Sequence, residues 1–183
     1  MRSMSFLSDP CDTLFDSSIE RMISRIRQTT ESQIEAFPHY ADVTTGTWET
    51  TDDGFWTGGF WPGILWLAGY YSGEKSFWKE AERWTGRLES RVDSDSVFRG
   101  FLFYFAGSVG SEIASSKLAE DLARRAARNL KSTFNPHIGL MPLGKSAEEA
   151  HTVGEGETNI DSISASLVIA WAAENADDED LNP

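Results

Sequence analysis

Helical periodicity dominates the pattern of apolar and polar positions along the chain. Three stretches carry one apolar face on an otherwise charged helix: 17–34, 75–91 and 116–133. Each is followed by a stretch that is apolar on nearly every side: 62–71, 98–113 and 160–175. A short helix that is apolar all round is buried, whereas an amphipathic helix lies at the surface. We therefore predict three outer helices, each followed by an inner helix.

Outer helices arranged around inner helices are the plan of an α/α toroid, so we predict an all-α fold. Asp16 or Ser17 is the expected N-cap of the first helix. Residues 37–54 are expected to form a loop, because no strand-like alternation of useful length competes with the helical pattern. We expect one domain over 1–183, with mobile ends at 1–16 and 176–183.

The loops that lead into inner helices open on one face of such a plan. Three of them combine glycine with aromatic or polar residues: the first loop (47–59), the second loop (93–99) and the third loop (137–161). Loops longer than about 12–15 residues without secondary structure are uncommon in compact domains and are often functional. We expect the three loops to converge, with the third loop contributing to function.

The segment 55–61, FWTGGFW, holds four aromatic residues around two glycines. Trp56 and Trp61 offer flat apolar faces that suit a sugar ring. The same rings also suit a protein core, and periodicity alone favours that interpretation. The neighbouring Asp52 and Asp53 favour a ligand site, although two acids in a turn are also typical of a solvated loop.

Three polar residues are the strongest candidates for chemistry. Asp161 opens the third inner helix, where it suits either an N-cap or a general acid and base. Arg99 opens the second inner helix and suits either a bidentate contact to a sugar carboxylate or a surface ion pair with Asp93 or Asp95. His151 in the third loop suits either a ligand contact or an ordinary polar contact.

Charge and composition narrow the range of partners. The chain has 183 residues and a formal net charge of −13, which argues against nucleic acid and anionic membranes. Cys11 is the only cysteine, and the three histidines are scattered, so we expect no disulfide, no metal site and no cofactor. The first ten residues lack an apolar signal core, and we expect a cytoplasmic protein.

Three segments together resemble a known enzyme family. They are WTGGFWPGILWLA (56–68), GFLFYFAG (100–107) and NIDSISASLVIAWAA (159–173). In order and spacing they are similar to the unsaturated glucuronyl hydrolases of glycosyl hydrolase family 88, over roughly residues 48–174. The resemblance implies an (α/α)6 toroid with its site in the central cavity. The chain holds about three outer and inner pairs, so the expected toroid is incomplete.

The resemblance also implies a reaction. Members of this family cleave an unsaturated uronic acid from an oligosaccharide by hydrating its C4=C5 bond. Asp161 aligns with the family's acid/base aspartate and Trp56 with its aromatic sugar contact, and Trp61, Arg99 and His151 are further candidate substrate contacts. The family usually carries a His-Asp pair before the GFLF-type helix, whereas this chain has Val97 and Phe98 there.

The expected function is therefore hydrolysis of a small unsaturated uronyl oligosaccharide, with Asp161 as general acid and base. One alternative is a carbohydrate-binding protein without catalysis, which the missing aspartate favours. A second is an inactive, truncated homologue whose unpaired inner helices associate with another copy. A third is an unsaturated rhamnogalacturonyl hydrolase.

Overall fold

A computed structural model describes residues 10–175 and 181 of the chain, which divides into two compact units, Met1–Ile34 and Glu35–Pro183. From residue 10 onward, the first unit contains one helix, α1 (Pro10–Glu31). It begins before the predicted cap: the Ser17 and Ser18 hydroxyls accept hydrogen bonds from the Arg21 guanidinium at 3.4 and 3.0 Å within the helix. Of the ends expected to be mobile, 1–9, 176–180 and 182–183 lie outside the described residues.

A β-hairpin occupies the stretch 37–54, where the sequence predicted only a loop. Strands β1 (Phe37–Ala41) and β2 (Trp48–Thr51) pair antiparallel, with an irregularity after Pro38. The prediction was wrong because the strands are too short for a clear alternation. The turn between them depends on Asp42, whose Oδ1 accepts hydrogen bonds from the Thr44 and Thr45 amides and the Thr45 hydroxyl. The bonds from Thr45 and then Thr44 lower the pKa of the Asp42 carboxyl.

The helices of the second unit follow the predicted alternation of inner and outer elements. They are α2 (Phe60–Ser72), α3 (Lys75–Arg87), α4 (Arg99–Phe103), α5 (Val109–Ala114), α6 (Lys117–Lys131), α7 (Ala150–Val153) and α8 (Ile163–Asn175). Single 3₁₀ turns at Glu89–Arg91 and Ile160–Ser162 extend α3 and precede α8. The amphipathic α3 and α6 pack on the apolar α2, α4, α5 and α8. The predicted all-α toroidal plan is confirmed, apart from the small hairpin.

The second inner helix is continuous from α4 to α5 but contains a π-helical turn, Tyr104–Ser108, that the pattern did not predict. Within this turn the Ala106 carbonyl accepts hydrogen bonds from Trp66 Nε1 at 2.9 Å and from Thr85 Oγ1 at 3.3 Å. Side chains that insert into a helical hydrogen-bond ladder are a usual cause of such irregular turns. The turn therefore ties α2 and α3 to the second inner helix.

Apolar side chains remain exposed on the two inner helices that flank the second one. On α2 these are Ile64, Leu67, Tyr70 and Tyr71, and on α8 they are Ile163 and Leu167. Their exposed fractions range from 41% to 66%. These exposed side chains agree with the expectation that an incomplete toroid leaves apolar flanks unpaired.

Candidate functional site

Two glycines bring the starts of the three inner helices together. A Cβ atom on Gly59, directly before α2, would lie 2.4 Å from the Leu102 carbonyl oxygen of α4. A Cβ atom on Gly100 would lie 2.4 Å from the backbone of Ser164 and Ala165 at the start of α8. Only glycine permits backbones to approach so closely. The N-terminal ends of α2, α4 and α8 are therefore neighbours at one end of the unit.

Backbone hydrogen bonds connect the second loop to the third loop. The Val97 amide donates to the Leu143 carbonyl at 2.9 Å, and the Ser146 amide donates to the Asp95 carbonyl at 2.8 Å. Asp95 Oδ2 also accepts from the Lys145 amide at 3.2 Å. The first loop joins them through Arg91, described below. The predicted convergence of the three loops is confirmed.

The aromatic segment 55–61 forms a ring cluster around Trp56, which is half-buried. The Trp56 ring centroid lies 5.9 Å from that of Phe101 and 6.1 Å from that of Phe60. His39 of β1 meets Trp56 edge-on at 6.2 Å, and His39 Nδ1 hydrogen-bonds to Thr57 Oγ1 at 2.8 Å. Edge-to-face packing of this kind fixes ring orientation while leaving part of a ring face available to a ligand.

Trp61 has a different environment from Trp56, although both were candidate sugar contacts. Only 6% of Trp61 is exposed, and its Nε1 atom is buried without a hydrogen-bond partner in the part of the chain that the structure describes. Its position in the first turn of α2 turns the ring into the core. Of the two tryptophans, Trp56 is therefore the one that a ligand can reach.

Arg99, for which a sugar contact and a surface ion pair were both open, lines a polar cavity together with Asp93 and Asp95. It is 3% exposed and donates hydrogen bonds to the carbonyls of Ser96, Val92 and Asn129 at 3.0, 3.0 and 3.3 Å. Burial lowers the pKa of its guanidinium, and the nearby Asp95 partly opposes this effect. Arg99 ties the second loop to the end of α6, because its donors are used by backbone carbonyls.

Asp161 lies in the 3₁₀ turn before α8 and is half-buried. It is not the cap of this turn: Asn159 is the N-cap, and its Oδ1 accepts the Asp161 amide at 3.1 Å. Within the described residues the Asp161 carboxylate has no hydrogen-bond partner. This carboxylate is therefore available to a ligand at the end of the unit where the inner helices begin.

Arg91 connects the first loop to the third loop and was not recognised from the sequence. Its side chain is 9% exposed, and it pairs with Asp53 Oδ2 at 2.9 Å and with Glu148 Oε1 at 3.0 Å. Asp52 and Asp53, the candidates for a second carboxylate, are both exposed, and Asp53 is used in this ion pair. An arginine at the end of a charged helix gives no sequence signal that distinguishes it from a surface residue.

Comparison with known proteins finds chains of similar sequence. No family model matches the chain. Over 148 residues it is 26% identical to an unsaturated glucuronyl hydrolase of Bacillus sp. strain GL1, covering 79% of this chain and 38% of that relative. The curated homologue of this chain is an unsaturated glucuronyl hydrolase.

Solved structures show the same fold. A point variant of the protein UGL with dGlcA-Glc-Rha-Glc matches with a TM-score of 0.78 at 23% identity, over 91% of this chain and 45% of that one. The unsaturated glucuronyl hydrolase responsible for the degradation of glycosaminoglycan from Bacillus sp. GL1 matches with a TM-score of 0.77 at 24% identity, over 89% and 44%. The chain spans less than half the length of these relatives, and its fold is a partial α/α toroid.

One part of the site departs from the pattern expected of unsaturated glucuronyl hydrolases. Val97 and Phe98, which stand where a His-Asp pair is usual, are each 2% exposed. Phe98 stacks on Phe101 with ring centroids 6.4 Å apart, in contact with the aromatic cluster. Asp95 does not replace the missing acid, because it binds the third-loop backbone. This position therefore contributes apolar packing instead of a carboxylate.

The other polar candidates of the third loop are exposed to solvent. His151 is exposed on α7, and Glu155 and Glu157 are exposed farther along the third loop. Among the described residues, no three His, Cys, Asp or Glu side chains are grouped so that they could hold a metal ion. No helix in residues 10–175 has the length and apolar character needed to cross a membrane. His39, one of the three scattered histidines, lies beside Trp56, and no sequence pattern indicated this.

Proposed function

We propose that this protein is a glycoside hydrolase that acts on unsaturated uronyl oligosaccharides. The observation that carries the proposal is the common location of two features, the Trp56 ring cluster and the Asp161 turn, at the adjoining starts of inner helices. Further support comes from the homologue, which is an unsaturated glucuronyl hydrolase. An aromatic face and a free carboxylate at the same end of the unit suit recognition of a sugar ring and proton transfer to it.

The proposed reaction is hydration of the C4=C5 bond of the uronyl residue. The Asp161 carboxyl group donates its proton to C4, and the resulting carboxylate takes a proton from the water whose oxygen bonds to C5. The double bond becomes a single bond and Asp161 is restored to its protonated form. The hemiketal then opens and releases the next sugar. No covalent bond forms between sugar and protein, so a second carboxylate at nucleophile distance is unnecessary.

The proposed substrate contacts differ in the support that each has. Trp56 stacks on the sugar ring, supported by its half-exposed position within the ring cluster. His151 is an additional contact, supported by its exposure on α7 of the third loop. Trp61 and Arg99 are left out of the proposal, because the core and three backbone carbonyls occupy them.

The test is loss of the ultraviolet absorbance of the conjugated unsaturated uronate. Asp161→Asn should lower kcat by about 10²–10⁴-fold, because it removes the proton donor and acceptor. Asp121→Asn is the matched control: Asp121 is a surface acid of α6 paired with Arg125, and the rate should be unchanged. An unaffected rate in Asp161→Asn would remove the role assigned to that residue.

One other activity has specific support. Carbohydrate binding without turnover is favoured by the apolar Val97 and Phe98, where a site acid is expected. Quenching of tryptophan fluorescence by the unsaturated disaccharide without loss of its absorbance would support binding alone. Activity only on unsaturated rhamnogalacturonan fragments would instead support the related hydrolase.

Self-association through the exposed faces of α2 and α8 is a further part of the proposal, and it is compatible with either activity.

A further inference from the structure

We propose that Arg91 is a positioning residue that sets Trp56 and Asp161 relative to each other, through one contact to the first loop and one to the third. This inference rests on the proposed function. Arg91 lies outside the expected site, in the 3₁₀ turn after α3, and is 8% exposed. Its guanidinium faces the two loops that carry the sugar-stacking ring and the acid.

The first contact fixes the turn that precedes Trp56. Nη1 of Arg91 donates to Asp53 Oδ2 at 2.9 Å and to the carbonyl of Phe55 at 3.3 Å. Asp53 Oδ1 in turn accepts the Phe55 amide at 3.0 Å. Phe55 has a φ of +48°, which is unfavourable for a bulky residue and persists only where surrounding contacts hold it. Arg91 supplies such contacts to the residue next to Trp56.

The second contact reaches Asp161 through three hydrogen bonds and the peptide link between Glu148 and Glu149. Nη2 of Arg91 donates to Glu148 Oε1 at 3.0 Å. The next residue, Glu149, accepts a hydrogen bond from Asn159 Nδ2 at 2.9 Å. Asn159 then holds the Asp161 amide with its Oδ1 atom at 3.1 Å. Moving Glu148 therefore moves the cap that orients the Asp161 turn.

Stability alone is a weak explanation for this buried ion pair. The Glu148 side chain is 12% exposed, and its Oε2 atom is buried without a hydrogen-bond partner among the described residues. Desolvation of a buried pair offsets much of its attraction, more so when one oxygen stays unsatisfied. The forked geometry of the guanidinium instead gives defined directions to two carboxylates, which is what positioning requires.

The third loop keeps other anchors when the Arg91 contacts are removed. Asp95 accepts hydrogen bonds from the Lys145 and Ser146 amides. Leu143 accepts a hydrogen bond from the Val97 amide and donates one to the Glu157 carbonyl. Substitutions at Arg91 or Glu148 should therefore shift residues 148–161 without releasing the whole loop. This separation makes the positioning role measurable.

The experiment compares Glu148→Gln, Asp53→Asn and Arg91→Gln on the unsaturated disaccharide. Glu148→Gln removes the charge that strengthens the contact toward Asp161 and should lower kcat roughly tenfold with KM nearly unchanged. Asp53→Asn removes the charge that strengthens the contact toward Trp56 and should raise KM severalfold with kcat nearly unchanged. Arg91→Gln should do both and lower kcat/KM by roughly 100-fold. Arg125→Gln, which removes a surface arginine paired with Glu89, is the matched control and should leave both constants unchanged.

Amide hydrogen exchange on the same variants gives a readout that does not need activity. Faster exchange is expected only in 148–161 for Glu148→Gln, only in 53–57 for Asp53→Asn, and in both segments for Arg91→Gln. The same small change in every variant, or unchanged exchange in Arg91→Gln, would overturn the positioning role. If wild-type protein lacks turnover, the proposed function fails, and the exchange pattern still decides this inference.

Discussion

A buried guanidinium carries five N–H donors, and two arginines of this chain satisfy them in different ways. Arg99 donates to three backbone carbonyls and so connects the second loop to α6. Arg91 donates to two carboxylates and to the backbone of the first loop. The partners of these side chains, rather than their residue type, decide which one bears on the candidate site.

Two adjacent serines provide a prediction at the residue scale. Ser116 is the N-cap of α6: its hydroxyl accepts from the Ala119 amide at 3.3 Å and donates to Glu82 Oε1 at 2.9 Å. Ser116→Ala should lower the free energy of unfolding by about 1 kcal/mol. Ser115 is exposed and has a φ of +53°, so Ser115→Gly should raise the free energy of unfolding by up to about 1 kcal/mol.

Urea unfolding of the wild type and the two serine variants measures both changes. The opposite signs are the important feature, because the two serines are neighbours in sequence: the Ser116 side chain caps α6, whereas the Ser115 backbone has a positive φ. Destabilisation by Ser115→Gly would contradict the backbone argument for Ser115, and an unchanged stability of Ser116→Ala would contradict the cap assignment.

At the scale of elements, close backbone contacts decide how the inner helices pack. Gly107 and Gly110 of the second inner helix make room for Ala123 of α6 and for the Trp66 ring of α2. Gly59 and Gly100 do the same at the helix starts. The π-helical turn adds the Ala106 carbonyl as an acceptor for Trp66 and so fixes α2 against its neighbour. These contacts place the loops, and the loops carry the candidate site.

Gly100 gives the prediction at this scale. The Gly100→Ala substitution would place a methyl group 2.4 Å from the backbone of α8. Backbone atoms cannot move aside as the end of a flexible side chain can. We expect a loss of about 1–3 kcal/mol in the free energy of unfolding, together with a lower kcat, because the start of α8 carries the Asp161 turn.

Gly86→Ala is the matched control for this substitution. A Cβ atom on Gly86 in α3 would meet only the Leu118 side chain, at 3.4 Å, so the change should be neutral or stabilising by up to about 1 kcal/mol. Thermal or urea unfolding compares the two variants. A Gly100→Ala variant as stable and active as wild type would show that α4 and α8 do not need this close approach.

At the scale of the whole molecule, exposed apolar faces and a net charge of −13 act in opposite directions. The apolar side chains on α2 and α8 favour association with a second copy. Repulsion between like-charged copies opposes it, and salt screens that repulsion over a distance of about 8–10 Å at physiological ionic strength. The balance therefore depends on protein concentration and on salt.

Light scattering tests this balance. We expect the average mass to rise with protein concentration, and to rise further when salt is added. Leu67→Gln and Leu167→Gln, which remove exposed apolar surface without changing charge, should lower the mass toward that of a monomer. Ile138→Gln is the control, since Ile138 is 57% exposed but lies in a loop. A monomer under all conditions would contradict self-association.

The sequence by itself determined the order of inner and outer helices and the loops worth examining. Apolar periodicity is a local property, so a pattern such as that of 62–71 or 116–133 predicts burial without knowledge of the fold. The same pattern missed the short hairpin and the π-helical turn. Those two features depend on a turn held by Asp42 and on hydrogen bonds from Trp66 and Thr85.

Only the tertiary structure decided which polar residues belong near the candidate site. Arg91 meets Asp53 and Glu148 across 38 and 57 residues of sequence, and no local spacing connects them. The burial of Trp61 and the partial exposure of Trp56 likewise depend on which neighbours cover each ring. Side-chain partners are set by chain segments that meet only after folding, and for that reason the sequence showed the helices and the structure showed their contacts.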